Sequence, residues 1–150
     1  MAVQTTYTYY MEPGYPGSLV DQIHKTLISR VVESDNGLGL GVPVMQGKED
    51  FGCRPCQAGD TADQFVGIST RVRSLRAGES AYSKSESARI MTIGSVWVIA
   101  SVAVKPRDKV YFVAATGAWT NVADGNLEVP NAEFDNTTTD AGQLVRVRMS

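Results

Sequence analysis

Valine outnumbers leucine by 18 to 7 in this chain, and fourteen Gly and six Pro are spread along its whole length. β-branched side chains are stiff at χ1 and suit a pleated strand better than a helix. Gly and Pro at that density cut a chain into short pieces. Beyond residue 35 no stretch keeps the uninterrupted 3.6-residue period of a long helix. These features predict an all-β protein, and several short strands divided by turns suggest a sandwich, jelly roll or small barrel.

The first segment differs from the rest. It carries Tyr7, Tyr9, Tyr10 and Tyr15, and then Pro13-Gly14-Tyr15-Pro16-Gly17. Two Pro-Gly steps in five residues oppose regular structure and favour a turning, extended path. Four tyrosines are many for a linker meant to stay in water. Residues 1–20 are therefore read as an arm that docks on a neighbouring protein surface, and residues 21–150 as the folded domain. The plainer alternative is a terminus with no role.

Strands are expected at Thr26–Val32, Leu38–Met45, Gln64–Thr70, Ala88–Thr92, Val96–Val104, Val110–Ala114 and Leu144–Met149. Turns are expected at Asp35-Asn36-Gly37, at Gly94-Ser95 and at Lys105-Pro-Arg-Asp108. Leu19, Val20, Ile23 and Leu27 fall at helical spacing, so a short helix there is a second option. The final strand has the cleanest pattern: Val145, Val147 and Met149 alternate with Arg146 and Arg148, as in a half-buried antiparallel strand.

At 150 residues the chain fits one domain and needs no disulfide or metal to hold it. No apolar run approaches the ~20 residues that cross a bilayer. The opening residues lack the basic start and apolar stretch of a secretory signal, so the protein is expected to be made and assembled in the cytoplasm. Net charge is −2 with the signs interspersed, which gives no footprint for nucleic acid. Arg71, Arg73 and Arg76 are the nearest approach to a basic patch and suit a solvated face.

Few residues offer chemistry. Cys53-Arg-Pro-Cys56 is half of a zinc site without its other half, and it lacks the βαβ setting of a redox pair. It is expected in a turn between strands, with structural cysteines. His24 is the one histidine, so any Ser–His–Asp or Cys–His machinery would have to use it, and no turn nearby presents a nucleophile. Gly37-Leu-Gly-Leu-Gly41 lacks the spacing and the following helix of a phosphate cradle. Asn136-Thr-Thr138 matches a glycosylation acceptor, which matters only in a secreted protein. No catalytic, cofactor-binding or metal-binding residue is expected, and the chain is read as a non-enzymatic binding protein.

The order of segments resembles the structural cement, or capsid decoration, proteins of tailed bacteriophages. The resemblance begins at Pro13-Gly14-Tyr15-Pro16-Gly17-Ser-Leu-Val-Asp21 and continues through Ile28-Ser-Arg-Val-Val-Glu33 and Leu40-Gly-Val-Pro-Val-Met-Gln-Gly47. It then runs through Phe65-Val-Gly-Ile-Ser69, Ile90-Met-Thr-Ile-Gly-Ser-Val-Trp-Val98, Val110-Tyr-Phe-Val113 and Gly117-Ala-Trp-Thr120. It closes on Asn131-Ala-Glu-Phe134 and Ala141-Gly-Gln-Leu-Val-Arg-Val-Arg148. Each motif alone is weak, and their order carries the likeness. Cys53, Cys56 and the polar stretch 71–89 depart from the pattern.

The resemblance implies an all-β fold, a compact antiparallel β-barrel or jelly-roll domain with an extended N-terminal arm. It implies a virion protein on the outer capsid surface that bridges neighbouring major capsid protein subunits and stabilises the expanded head against DNA pressure. Its implied partners are the major capsid protein and further copies of itself, as a dimer or other homo-oligomer, with no nucleic acid and no membrane. Contact roles fall on Tyr7, Tyr9, Tyr10, Pro13, Gly14, Tyr15, Pro16 and Gly17. Three other readings stand behind it. The first is a tail, baseplate or head–tail connector part. The second is a glycan-binding β-sandwich using Trp119, Asn121 and Asp124. The third is an enzyme of the cysteine type.

Overall fold

In the computed structural model, which describes residues 15–21, 24–72 and 81–150, the valine- and isoleucine-rich stretches lie in strands. In chain order these are β1 (Thr26–Val32), β2 (Leu38–Gly39), β3 (Pro43–Gln46), β4 (Gly52–Pro55), β5 (Phe65–Ser69) and β6 (Ala81–Tyr82). They continue with β7 (Ser87–Ile99), β8 (Lys109–Phe112), β9 (Trp119–Thr120), β10 (Leu127–Phe134) and β11 (Leu144–Met149). Among the described residues one 3-10 turn, Ala62–Gln64, is the sole helical piece.

The protein is all-β. Nine strands form a continuous sheet in the order β1-β4-β3-β5-β7-β11-β10-β8-β9. β1 also pairs antiparallel with β7, so β1, β4, β3, β5 and β7 close into a barrel. The remaining strands curl away from β7 and return to its end through a bridge between Ala100 and Trp119. Closure removes exposed sheet edges, which are otherwise sites of unwanted pairing. β2 and β6 pair as a separate ribbon.

β7 is the shared wall of the two halves, and it corrects the turn expected at Gly94-Ser95. Ser87–Ile99 is one strand of thirteen residues. Up to Ile93 it is held by β1 and β5, and from Gly94 by β11. The pairing with β1 slips by one residue where Thr26 faces Ile93 and Leu27 faces Met91. An extra residue in a strand reverses the alternation of faces. Ile90 therefore points into one core with Val32, Leu38, Val44 and Cys53. Met91, and after the slip Val96 and Val98, point into the other, with Phe112, Trp119, Phe134 and Val145. Gly94, at φ +131°, supplies the backbone freedom next to the slip.

Other expectations hold or shift in small ways. β1 and β11 have the predicted limits, and Val145, Val147 and Met149 are buried as expected. Turns lie at Asp35-Asn36 and Pro106-Arg107. The stretch Leu38–Met45 divides into β2 and β3 around Gly41, at φ +67°. The helix option near residue 20 is not taken by the described residues there, since Leu19 bridges to Val96. β10 was hidden by Pro130 and Asn131. The ladder absorbs both in an irregularity between Glu128 and Glu133, with Asn131 at φ +54°.

Candidate interaction surface

Tyr7, Tyr9, Tyr10, Pro13 and Gly14 lie outside the described residues. Tyr15, Pro16 and Gly17 lie within them and show how the N-terminal segment joins the barrel. Tyr15 and Ser18 form a small turn: the Ser18 amide donates to the Tyr15 carbonyl at 2.9 Å, and the Tyr15 amide donates to Ser18 Oγ at 3.0 Å. Beyond the turn the chain lies antiparallel to β7. Gly17 N donates to Trp97 O at 2.8 Å, Trp97 N to Ser18 O at 3.0 Å, and Val20 N to Ser95 O at 3.1 Å. A fourth bond, from Arg71 N to Gly17 O at 2.8 Å, ties the segment to the chain leaving β5.

Gly17 must be glycine here. Its φ is +81°, and an added Cβ would stand 2.9 Å from Leu40 Cβ and 3.0 Å from Gly41 N. It is buried, whereas Tyr15, two residues earlier, is 71% exposed. The guanidinium of Arg71 stacks over the Tyr15 ring, 5.6 Å from its centroid. The segment is thus pinned at Gly17 and presents an aromatic ring immediately outside the pin.

A second exposed aromatic has the same support, and no local sequence pattern points to it. Phe51 is 70% exposed at the tip between β3 and β4, and the Arg30 guanidinium lies 5.5 Å from its ring centroid. Parallel pairing of β1 and β4 sets Val31 opposite Gly52 and Val32 opposite Cys53, which places Arg30 beside Phe51. Asp50-Phe51-Gly52 looks like ordinary turn sequence. Only the register of two strands distant in sequence shows the stack.

The cysteines are not in a free turn. Cys53 lies within β4, fully buried, because its side chain continues the inward-facing row next to Val32. Burial pushes its thiol up to about 11, with a smaller push from the Glu33 carboxylate. Burial also raises the Cys56 thiol, and Asp60 adds to it. Both cysteines are free. A thiolate is the nucleophilic and metal-binding form, and both settings disfavour it. Nearby, the Arg54 guanidinium grips Asp60 with bonds of 2.9 and 2.7 Å, and Asp60 also accepts from Gln57 N at 2.7 Å. This closes the loop that follows β4. Among the described residues no group of His, Cys, Asp and Glu is placed to hold a metal ion.

The glycan platform built on Trp119 is not available. Trp119 is 2% exposed, sits edge-on to Phe112 and donates from Nε1 to Gly41 O at 2.8 Å. Asn121 is occupied with the Asp108 carboxylate at 2.9 Å. His24 is exposed, at φ +51°.

These features define a structural β-barrel protein whose surface offers contact groups, with aromatic rings braced by arginine. Over residues 3–150 the chain matches the family described as structural cement protein (E217 gp24/Pam3 gp6), and it belongs to that family. It is therefore a structural protein of the phage capsid. Among solved structures it is similar to a chain from the capsid of Myoviridae phage XM1, with 21% identity and a TM-score of 0.76. That match covers 100% of this chain and 98% of the other, and at such identity it shows a shared fold. A weaker likeness is to the N base of the head fiber gp8.5 of bacteriophage phi29. It has 13% identity and a TM-score of 0.47 over 84% of this chain and 94% of that one. No curated protein matches the chain.

Proposed function

We propose that the protein sits on the outer capsid surface, bridges neighbouring major capsid protein subunits and stabilises the expanded head against the pressure of packaged DNA. The observation that carries this reading is the pinned root at Gly17. Its four backbone bonds with β7 and Arg71 hold the base of the tyrosine-rich segment on a closed barrel. Residues 1–20 act as the arm and residues 21–150 as the body, with Tyr7, Tyr9, Tyr10, Pro13, Gly14, Tyr15 and Pro16 touching the shell and Gly17, also expected as a contact but buried, anchoring them.

Physical reasons favour this division. A shell under internal pressure fails where adjacent subunits part, so a brace must hold both sides of a seam. Tyr gives large contact area with few rotors to order, and Pro restricts the free chain, so such an arm loses little entropy on docking. A specific interface buries roughly 1,600 Å² in total, about 800 Å² from each partner, and an arm adds contact area to what a barrel face supplies. Repetition over the shell then makes many moderate contacts act together. In this reading the protein is not an enzyme and binds neither nucleic acid nor membrane. It self-associates on the shell and is made in the host cytoplasm.

The test uses particles prepared without this protein, to which full-length chain or a variant lacking residues 2–14 is added back. Full-length protein is expected to decorate the shell and raise the temperature of DNA release. The truncated form should keep its far-UV spectrum and fail to decorate. Undecorated particles that withstand heat as well as decorated ones would overturn the bracing role. Undiminished binding by the truncated form would overturn the arm.

A further inference from the structure

We propose that the groove beside Phe51 is a second docking site, and that it takes a basic segment of a shell subunit, with Lys or Arg next to an apolar side chain. The inference rests on the cement reading and adds to it a contact separate from the N-terminal arm.

The tip between β3 and β4 is held more firmly than a connecting loop requires. The Glu33 carboxylate, reaching across from the end of β1, accepts from Lys48 N at 2.8 Å and Glu49 N at 3.1 Å. Gln46 Nε2 donates to the carbonyls of Glu49 at 2.8 Å and Asp50 at 3.2 Å. Gly47 and Gly52 leave the space that Glu33 fills, since a Cβ at either would lie within 2.5 Å of its carboxyl group. Val31 N donates to Phe51 O at 2.8 Å, which fixes the tip to β1. All this order presents a phenyl ring to solvent. A rigid exposed aromatic that has already lost its freedom is the usual anchor of a protein interface.

The surroundings select the partner's chemistry. A groove of about 470 Å³ runs beside the ring, lined by Val31, Glu33, Glu49, Asp50, Phe51 and Gly52. Val31 and Phe51 make it apolar, with 45% and 70% of their surfaces exposed. Its charged lining groups are three carboxylates, without a Lys or Arg. Glu33 is occupied with backbone amides, while Glu49 and Asp50 have no ion-pair partner among the described residues. The ring already carries one guanidinium, that of Arg30. A cationic side chain with an apolar neighbour would meet the aromatic ring, the apolar wall and two unmatched carboxylates together.

Shells lacking the protein are titrated with wild type, Phe51→Ala and the double variant Glu49→Lys/Asp50→Lys. All three sites are on the exposed tip, and unchanged melting curves confirm folding. Each variant is expected to bind about tenfold or more weakly than wild type. Wild-type affinity should fall between about 50 and about 300 mM salt, and the fall should shrink in Glu49→Gln/Asp50→Gln. Variants that match wild type would refute the groove and leave the cement reading standing. Failure of wild type to bind would refute the cement reading, and this inference with it. Loss of self-association in sedimentation, with shell binding intact, would assign the groove to a second copy and overturn the proposal.

Discussion

The bond from Trp119 Nε1 to Gly41 O links the second half of the sheet to the loop against which Gly17 packs. Trp119→Phe isolates it. The substitution keeps a ring against Phe112, now 5.9 Å from the indole, but removes the donor to a buried carbonyl 2.8 Å away. An orphaned buried carbonyl costs about 1–3 kcal/mol. The smaller ring leaves unfilled volume in a core where Trp119 is 2% exposed, adding roughly 1 kcal/mol. The sum is about 2–4 kcal/mol, or roughly 5–15 °C in melting temperature for a domain of this length. Guanidinium unfolding followed by far-UV circular dichroism should show an earlier midpoint with an unchanged slope. Trp119→Ala should lose about 3–5 kcal/mol. A loss under about 1 kcal/mol for the Phe variant would refute the reasoning. So would a Phe loss equal to the Ala loss, since both variants lack the donor and the retained ring would then contribute no packing.

Three further outcomes follow from the same structure. Trp97, 6% exposed on the central strand, should cost ~3–5 kcal/mol when replaced by Ala, and a change near zero in denaturant unfolding would contradict its burial. The Arg54 guanidinium holds the Asp60 carboxyl below its usual range. Its stabilisation is therefore complete above the ordinary value of 3.8 and lost as pH falls through the lower folded value. Asp60→Asn should lower the melting temperature at pH 7 while flattening its decline below about pH 4, and parallel acid profiles would refute the pairing. With its thiol pushed up to about 11 and its side chain buried, Cys53 should resist alkylation at pH 8 until the protein unfolds. Rapid modification of the native protein would show that β4 opens.

Strand content was legible because its signals are local. The alternation of Val145, Val147 and Met149 with two arginines needs one sheet face and one solvent face, whatever the partners. Thr26–Val32 is long and β-branched, and no turn residue interrupts it. The failures were at residues whose local preference is overruled by pairing. Gly94-Ser95 reads as a turn, yet β11 and β1 hold the chain extended on both sides of it. Leu127–Phe134 was not among the expected strands, and β10 carries Pro130 across an irregularity in its pairing with β8. Cys53 reads as part of a loop, yet two residues of parallel pairing with β1 draw it into the barrel. The surface features divide in the same way. The tyrosine and proline pattern of the N-terminal segment stands out in sequence, whereas the Phe51–Arg30 and Tyr15–Arg71 stacks depend on strands meeting from distant parts of the chain.

By itself the sequence determined that the chain forms short strands and that its first residues differ in kind from the rest. The order of its segments also pointed to the right family. The tertiary structure alone decided that the strands close into a barrel sharing one long wall, and which side of that wall each residue faces. It also decided that Trp119 is a buried tie and not a surface platform, and that Gly17 is a fixed pin. The physical reason is that strand formation follows from side-chain shape and alternation within a few residues. Register and closure instead depend on contacts between segments far apart in sequence, and a one-residue slip, as beside Gly94, changes which core a side chain enters.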